Sequence, residues 1–74
     1  MSRGLMTFPE HLLELRLQRN VLQKDIADSL GIAIRTYQRY EQGEREPDLS
    51  TLIALADYYN ISLDDLACRE FRGK

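Results

Sequence analysis

From Gln23 onward, apolar and small residues fall at Ile26, Ala27, Leu30, Ile32, Tyr37 and Tyr40. Leu30 lies one helical turn beyond Ile26 and Ala27, and the three line one face of a short helix. Gly31 interrupts the pattern, which resumes at Ile32 and again at Tyr37 and Tyr40. This predicts two short helices, running about from Gln23 to Leu30 and from Ile34 to Gln42, joined by a tight turn. Gly31 suits the turn because it takes positive φ at no steric cost. Ala27, with almost no side chain, lets the second helix cross closely over the first. The outer face of that second helix carries Arg35, Thr36, Gln38, Arg39 and Gln42. None is acidic and all are hydrogen-bond donors, a face suited to base edges and phosphates.

The flanking segments read as three more helices. Thr7 and Glu10 have the spacing of a capping box, with Pro9 tolerated in the first turn. The first helix then carries a core stripe of Phe8, Leu12 and Leu15, with Leu13 and Leu17 at its edge and His11 at the surface. Asn20 suits the left-handed residue that ends it. Leu22 and Ala33 stand where the next two helices begin, and neither side chain can accept a hydrogen bond, an omission costing about 1 kcal/mol each. Asp48 caps a fourth helix whose predicted apolar face is Leu49, Leu52, Ile53, Leu55, Ala56 and Tyr59, and Asn60 closes it. Ser62 and Asp65 resemble a second capping box, with Ile61 and Leu66 as its staple, opening a short helix over residues 63–67. The expected organisation is a loose arm at residues 1–7, one domain at 8–67 and a tail at 68–74. No strand, repeat or low-complexity segment is evident, so the expected fold class is all-α, a compact bundle of five helices.

Composition narrows the field. Seventy-four residues with 43% apolar content make one small domain with a thin stability margin. No apolar run approaches the ~20 residues of a membrane span, and the N-terminus lacks a signal-peptide pattern. The single cysteine, Cys68, excludes an internal disulfide and suits a reducing cytoplasm. With one histidine far from it, no protein-only zinc site is expected. Neither a cofactor site nor a catalytic constellation emerges, so the chain does not read as an enzyme. Net charge is −2, yet residues 16–45 hold six basic side chains against four acidic, while residues 46–74 hold three against six. An acidic chain can still present a basic face to nucleic acid. Any soluble helical protein also shows mixed charges.

The run from Gln23 to Gly43 resembles the helix-turn-helix of the Cro and phage-repressor (XRE) family of bacterial DNA-binding regulators. Similarity extends to Phe8, Leu12, Leu15 and Arg16 before it, to Glu41, Gln42, Gly43 and Pro47 after it, and to LSTLIALADYYNISLDDL at residues 49–66. It covers roughly residues 8–67, in order and without gaps. The resemblance implies a lambda-repressor-like domain whose helices two and three form the DNA-binding unit.

Carried over position by position, the resemblance implies base contacts from Ile34, Arg35, Gln38 and Arg39 in the major groove. Arginine pairs with guanine and glutamine with adenine, while Ile34 is limited to a thymine methyl or a sugar. Gln23 opens helix two, where the family clamps a phosphate and where a helix N-terminus attracts anions anyway. Lys24, Thr36, Gln42 and Arg45 are further candidates for the DNA backbone, and Arg19 either joins them or stays in solvent. Glu44 and Glu46 depart from the basic loop of many relatives, which implies weaker binding or a loop turned away from DNA. The resemblance also implies an ion pair between Arg16 and Glu41, joining helix one to the end of helix three. Read without it, each could be a surface charge. Tyr37 and Tyr40 belong to the core; Tyr58 is a spare aromatic.

The leading expectation is a cytoplasmic, sequence-specific regulator of double-stranded DNA, a repressor in preference to an activator. It would read a palindromic operator as a homodimer, because one short helix reads few base pairs and useful specificity implies half-sites ~34 Å apart. Tyr58, Ile61 and Phe71 are the apolar candidates for a weak dimer contact. The alternative is an antitoxin-like or accessory module holding a protein partner, suggested by the acidic second half and Tyr58.

Overall fold

A computed structural model describes residues 7–66. Five helices follow one another: α1 (Phe8–Arg19), α2 (Gln23–Leu30), α3 (Ile34–Gln42), α4 (Leu49–Tyr59) and α5 (Leu63–Leu66). No strand occurs among the described residues, and the domain is all-α.

Local chemistry explains where each helix starts and stops. Glu10 Oε1 accepts from the Thr7 N–H at 3.0 Å, and Thr7 Oγ1 accepts from the Glu10 N–H at 3.5 Å, closing the capping box of α1. Asp48 accepts from the Thr51 N–H at 3.0 Å and caps α4. Ser62 Oγ accepts from the Asp65 N–H at 3.1 Å at the head of α5. By contrast, Ala33 offers α3 no side-chain acceptor. Leu22 offers α2 none either, although the Asp25 carboxylate accepts the Leu22 N–H at 3.4 Å and makes half of a box. The first four helices each end in a left-handed residue: Asn20 (φ 57°), Gly31 (72°), Gly43 (77°) and Asn60 (59°). At Gly43 the space is tight as well. A β-carbon there would stand 3.3 Å from Pro9 Cγ, so the end of α3 lies directly against the start of α1.

Side chains from all five helices meet in one core: Leu12, Leu15, Ile26, Ala27, Tyr37, Tyr40, Leu55, Ala56, Tyr59 and Leu66. Phe8, Leu30, Ile32, Leu52, Tyr58 and Ile61 pack around it, half-buried. Helix α3 packs on α1 and α2, while α5 packs on α4 and α1. Fully burying a large apolar side chain contributes about 1.5–3 kcal/mol, and the fully buried Leu12, Ile26, Leu55 and Leu66 come from four different helices. A small domain is thereby held by one shared interior.

The structure corrects the expected face of α4. Leu49 and Ile53 are exposed, at 65% and 44%, rather than buried. At about 100° per residue, they stand to one side of the stripe formed by Leu52, Leu55, Ala56 and Tyr59. The buried stripe is narrower than the apolar pattern. His11, expected at the surface, is half-buried, and Leu17 is more exposed (61%) than an edge position implies. The N-terminal arm, apart from Thr7, and the tail with Phe71 and Cys68 lie outside the described residues.

Candidate nucleic-acid interface

Helix α3 is two-sided. Tyr37 and Tyr40 face inward, fully and almost fully buried, with their rings edge-on at 6.4 Å. Apart from Glu41, which also turns inward, the remaining positions turn outward: Ile34, Arg35, Arg39 and Gln42 are exposed, and Thr36 and Gln38 half-buried. Ile34, Arg35, Gln38 and Arg39 share one face because they are one helical turn apart in pairs. Arg35 and Arg39 make no hydrogen bond or ion pair within the described residues. Their guanidiniums are therefore available to an external acceptor, and no contact among the described residues must break first.

Beneath this face lies a continuous polar chain. Arg16 grips Glu41 through two bonds, Nε to Oε2 at 2.5 Å and a second terminal N–H to Oε1 at 3.3 Å. Arg16 also donates to the Val21 carbonyl at 3.1 Å, across the turn from α1 to α2. The Tyr37 hydroxyl donates to Glu41 Oε2 at 2.6 Å, and Gln23 Nε2 donates to Glu41 Oε1 at 3.0 Å. Gln38 Nε2 then donates to Gln23 Oε1 at 3.1 Å. Burial pushes the Glu41 carboxyl up, but donation from Arg16, Tyr37 and Gln23 outweighs it and leaves the group below the usual glutamate range. The bond to Glu41 likewise raises the Arg16 guanidinium against its own desolvation. Glu41 is thus an ionised, acceptor-only hub joining α1, α2 and α3.

The other candidate backbone contacts are placed differently. Gln23 heads α2 but its amide is engaged inward. Lys24 pairs with Asp28 one turn along the same helix at 3.2 Å, both well exposed, a contact worth only about 0.3–0.5 kcal/mol. Arg45 is exposed in the loop after α3. It lies near enough to Asp48 to add to the hydrogen bonds from Thr51 that hold that carboxyl below its usual range. Arg19 is exposed yet held within the fold: it donates to the Tyr59 carbonyl at 2.6 Å and lies 5.5 Å from the centre of the Tyr59 ring. It ties the end of α1 to the end of α4. Of the apolar candidates for a dimer contact, Tyr58 is half-buried edge-on against Tyr59 at 5.1 Å, and Ile61 packs on the core.

Sequence reasoning missed three side-chain to side-chain links of the polar chain, as well as the bonds from Arg16 to the Val21 carbonyl and from Arg19 to the Tyr59 carbonyl. The bond from Tyr37 to Glu41 had a signal, since the two are four apart on one helix. The bonds of Gln23 to Glu41 and Gln38 had none, because they depend on the angle at which α3 crosses α2.

Comparison with known proteins agrees with this geometry. The helix-turn-helix family model matches residues 12–66. The chain is 44% identical over 67 residues to the uncharacterized HTH-type transcriptional regulator YqaE of Bacillus subtilis, covering 90% of this chain and 58% of that protein. It is 38% identical over 64 residues to the cryptic phage CTXphi transcriptional repressor RstR of Vibrio cholerae, covering 86% and 57%. Among solved structures, a transcriptional regulator from Listeria innocua superposes with a TM-score of 0.81 at 33% identity, over 92% of this chain and 65% of that one. The chain thus spans little more than half the length of the relatives from Bacillus and Vibrio. No helix among the described residues is long and apolar enough to cross a membrane.

Proposed function

The chain belongs to the XRE-type helix-turn-helix family of DNA-binding transcriptional regulators, and from that premise we propose that it is a sequence-specific repressor working in the cytoplasm. Helix α3 enters the major groove of a palindromic operator, with Ile34, Arg35, Gln38 and Arg39 toward the bases. Gln23, Lys24, Thr36, Gln42 and Arg45 meet the phosphates. The observation carrying this reading is the pair of guanidiniums, Arg35 and Arg39, unpartnered among the described residues, on a helix whose opposite face is locked into the core. A single α3 spans only a few base pairs, so two copies bind together on half-sites ~34 Å apart. They meet weakly around the end of α4, near Tyr58 and Ile61, with Phe71 as a further candidate. Glu44, Glu46 and Asp57 set like charges against each other there, and salt screens that repulsion beyond ~8–10 Å.

Selection from random duplexes tests the reading directly. One enriched palindrome is expected. Arg35→Ala and Arg39→Ala should each lose about 1–3 kcal/mol of discrimination at one base pair, with stability unchanged within ~0.5 kcal/mol. Unchanged operator affinity in both variants would remove α3 as the reader. A second reading, a module that holds a protein partner, draws on the exposed Leu49 and Ile53 of α4. It requires that no duplex be enriched even at low salt.

A further inference from the structure

Resting on the reading of α3 as the base-contacting helix, we infer that Glu41 and Gln23 together set the polarity of the Gln38 amide, and so make Gln38 select adenine over guanine. The polar chain fixes the orientation of each group in turn. Arg16 has only donors, so Glu41 meets it as an acceptor. A carboxylate carries no proton to donate, and the Gln23 amide must therefore present its nitrogen to Glu41, at 3.0 Å. An amide has one oxygen, and with its nitrogen so turned, Gln23 offers that oxygen to its other neighbour. Gln38 meets it with its own nitrogen, at 3.1 Å.

What remains on Gln38 is one free N–H and an unused carbonyl oxygen. Adenine shows the major groove an acceptor at N7 and a donor at N6, the complement of that pair. Guanine shows two acceptors, N7 and O6, and the Gln38 oxygen faces one of them unfavourably. Were the chain reversed, Gln38 would spend its oxygen on Gln23 and keep both N–H groups, which suits guanine instead. The purine preference at this position is thus decided by groups that never touch the base. Gln23 and Glu41 act here as positioning residues.

The test is competition binding to a selected operator in which each base pair is varied in turn. Gln38→Ala first identifies the base pair under Gln38 as the one whose preference vanishes. Gln23→Met keeps the length of the side chain and removes both hydrogen-bonding groups, leaving Glu41 bonded to Arg16 and Tyr37. Overall affinity should fall with it on every sequence, since Gln23 also meets a phosphate. The diagnostic quantity is the adenine-to-guanine ratio at the mapped position, expected to fall about tenfold while preferences under Arg35 and Arg39 hold. Glu41→Gln supplies a second reading wherever circular dichroism shows it folded. An amide at 41 can donate, which permits the reversed chain and should shift the preference toward guanine. An unchanged ratio in Gln23→Met overturns the relay and leaves Gln38 a base reader. If Gln38→Ala alters no position while Arg35→Ala and Arg39→Ala do, the relay falls and the DNA-binding reading stands. If the unsubstituted protein enriches no duplex, both fall together.

Discussion

Helices α1 and α4 are capped by their own sequence; α2 and α3 are not. Thr7 and Asp48 satisfy first-turn N–H groups through side chains, whereas Leu22 and Ala33 leave them without a side-chain acceptor. Short helices are marginal by themselves, so the capless pair must be held from outside. Its apolar hold comes from Ile26, Ala27, Tyr37 and Tyr40, and its polar hold from Glu41. The difference separates two ways of fixing a helix. Local capping sets where α1 and α4 begin, while contacts distant in sequence set the angle at which α3 is presented. Open first-turn amides at α2 and α3 are also ready anion sites.

Three substitutions bear on this contrast. The largest effect is expected from Glu41→Ala, which strips partners from Arg16, Tyr37 and Gln23 at once. Breaking a mostly buried pair on one side should lower stability by about 3 kcal/mol in chemical denaturation. A loss below 1 kcal/mol would show that apolar packing alone holds α3. The pH dependence has a definite sign. Glu41 titrates below the usual glutamate range when folded, so its stabilisation is whole above about pH 4–5 and drains away as pH drops through the lower folded value. Glu41→Ala should flatten that acid limb.

Next in size is Ala33→Ser. Ala33 already has the extended backbone of a cap residue (φ −69°, ψ 145°), and a serine hydroxyl can accept a first-turn N–H. A gain of about 0.5–2 kcal/mol is expected; a lower denaturation midpoint would mean the start of α3 is satisfied by another group. Lys24→Ala should do least to the fold, within ~0.5 kcal/mol, because its pair with Asp28 is exposed. On DNA it should reduce the slope of log affinity against log salt by about one, and an unchanged slope would remove Lys24 from the phosphate contacts.

The same contrast explains what could be read from the chain and what could not. Element ends were legible because Thr7, Asp48, Gly31, Gly43, Asn20 and Asn60 act on backbone within a few residues of themselves. The two-sided nature of α3 was legible too, since Tyr37 and Tyr40 sit three apart among donors. Burial on α4 was less so. Leu49 and Ile53 continue the apolar pattern, and only the placement of α5 and α2 decides how wide a stripe is covered. Arg19 illustrates the harder case, a charge near the DNA-binding unit whose partner, the Tyr59 carbonyl, lies 40 residues away. The amides of Gln23 and Gln38 depend on the crossing of two helices, and no spacing rule encodes that.

The buried phenols of Tyr37 and Tyr59 also make the core visible to light. The chain has four tyrosines and no tryptophan, so its near-ultraviolet absorbance is a tyrosine signal. Burial drives Tyr37 far above the ordinary phenol range, and its bond to Glu41 drives it further. Tyr59, whose hydroxyl has no hydrogen-bond partner among the described residues, is pushed up to about 12, chiefly by burial. Each keeps its proton in the fold at pH values where the unfolded chain would release it. Alkali above about pH 10 therefore favours unfolding. Late phenolate absorbance from these two rings reports the opening of the core, with no label attached.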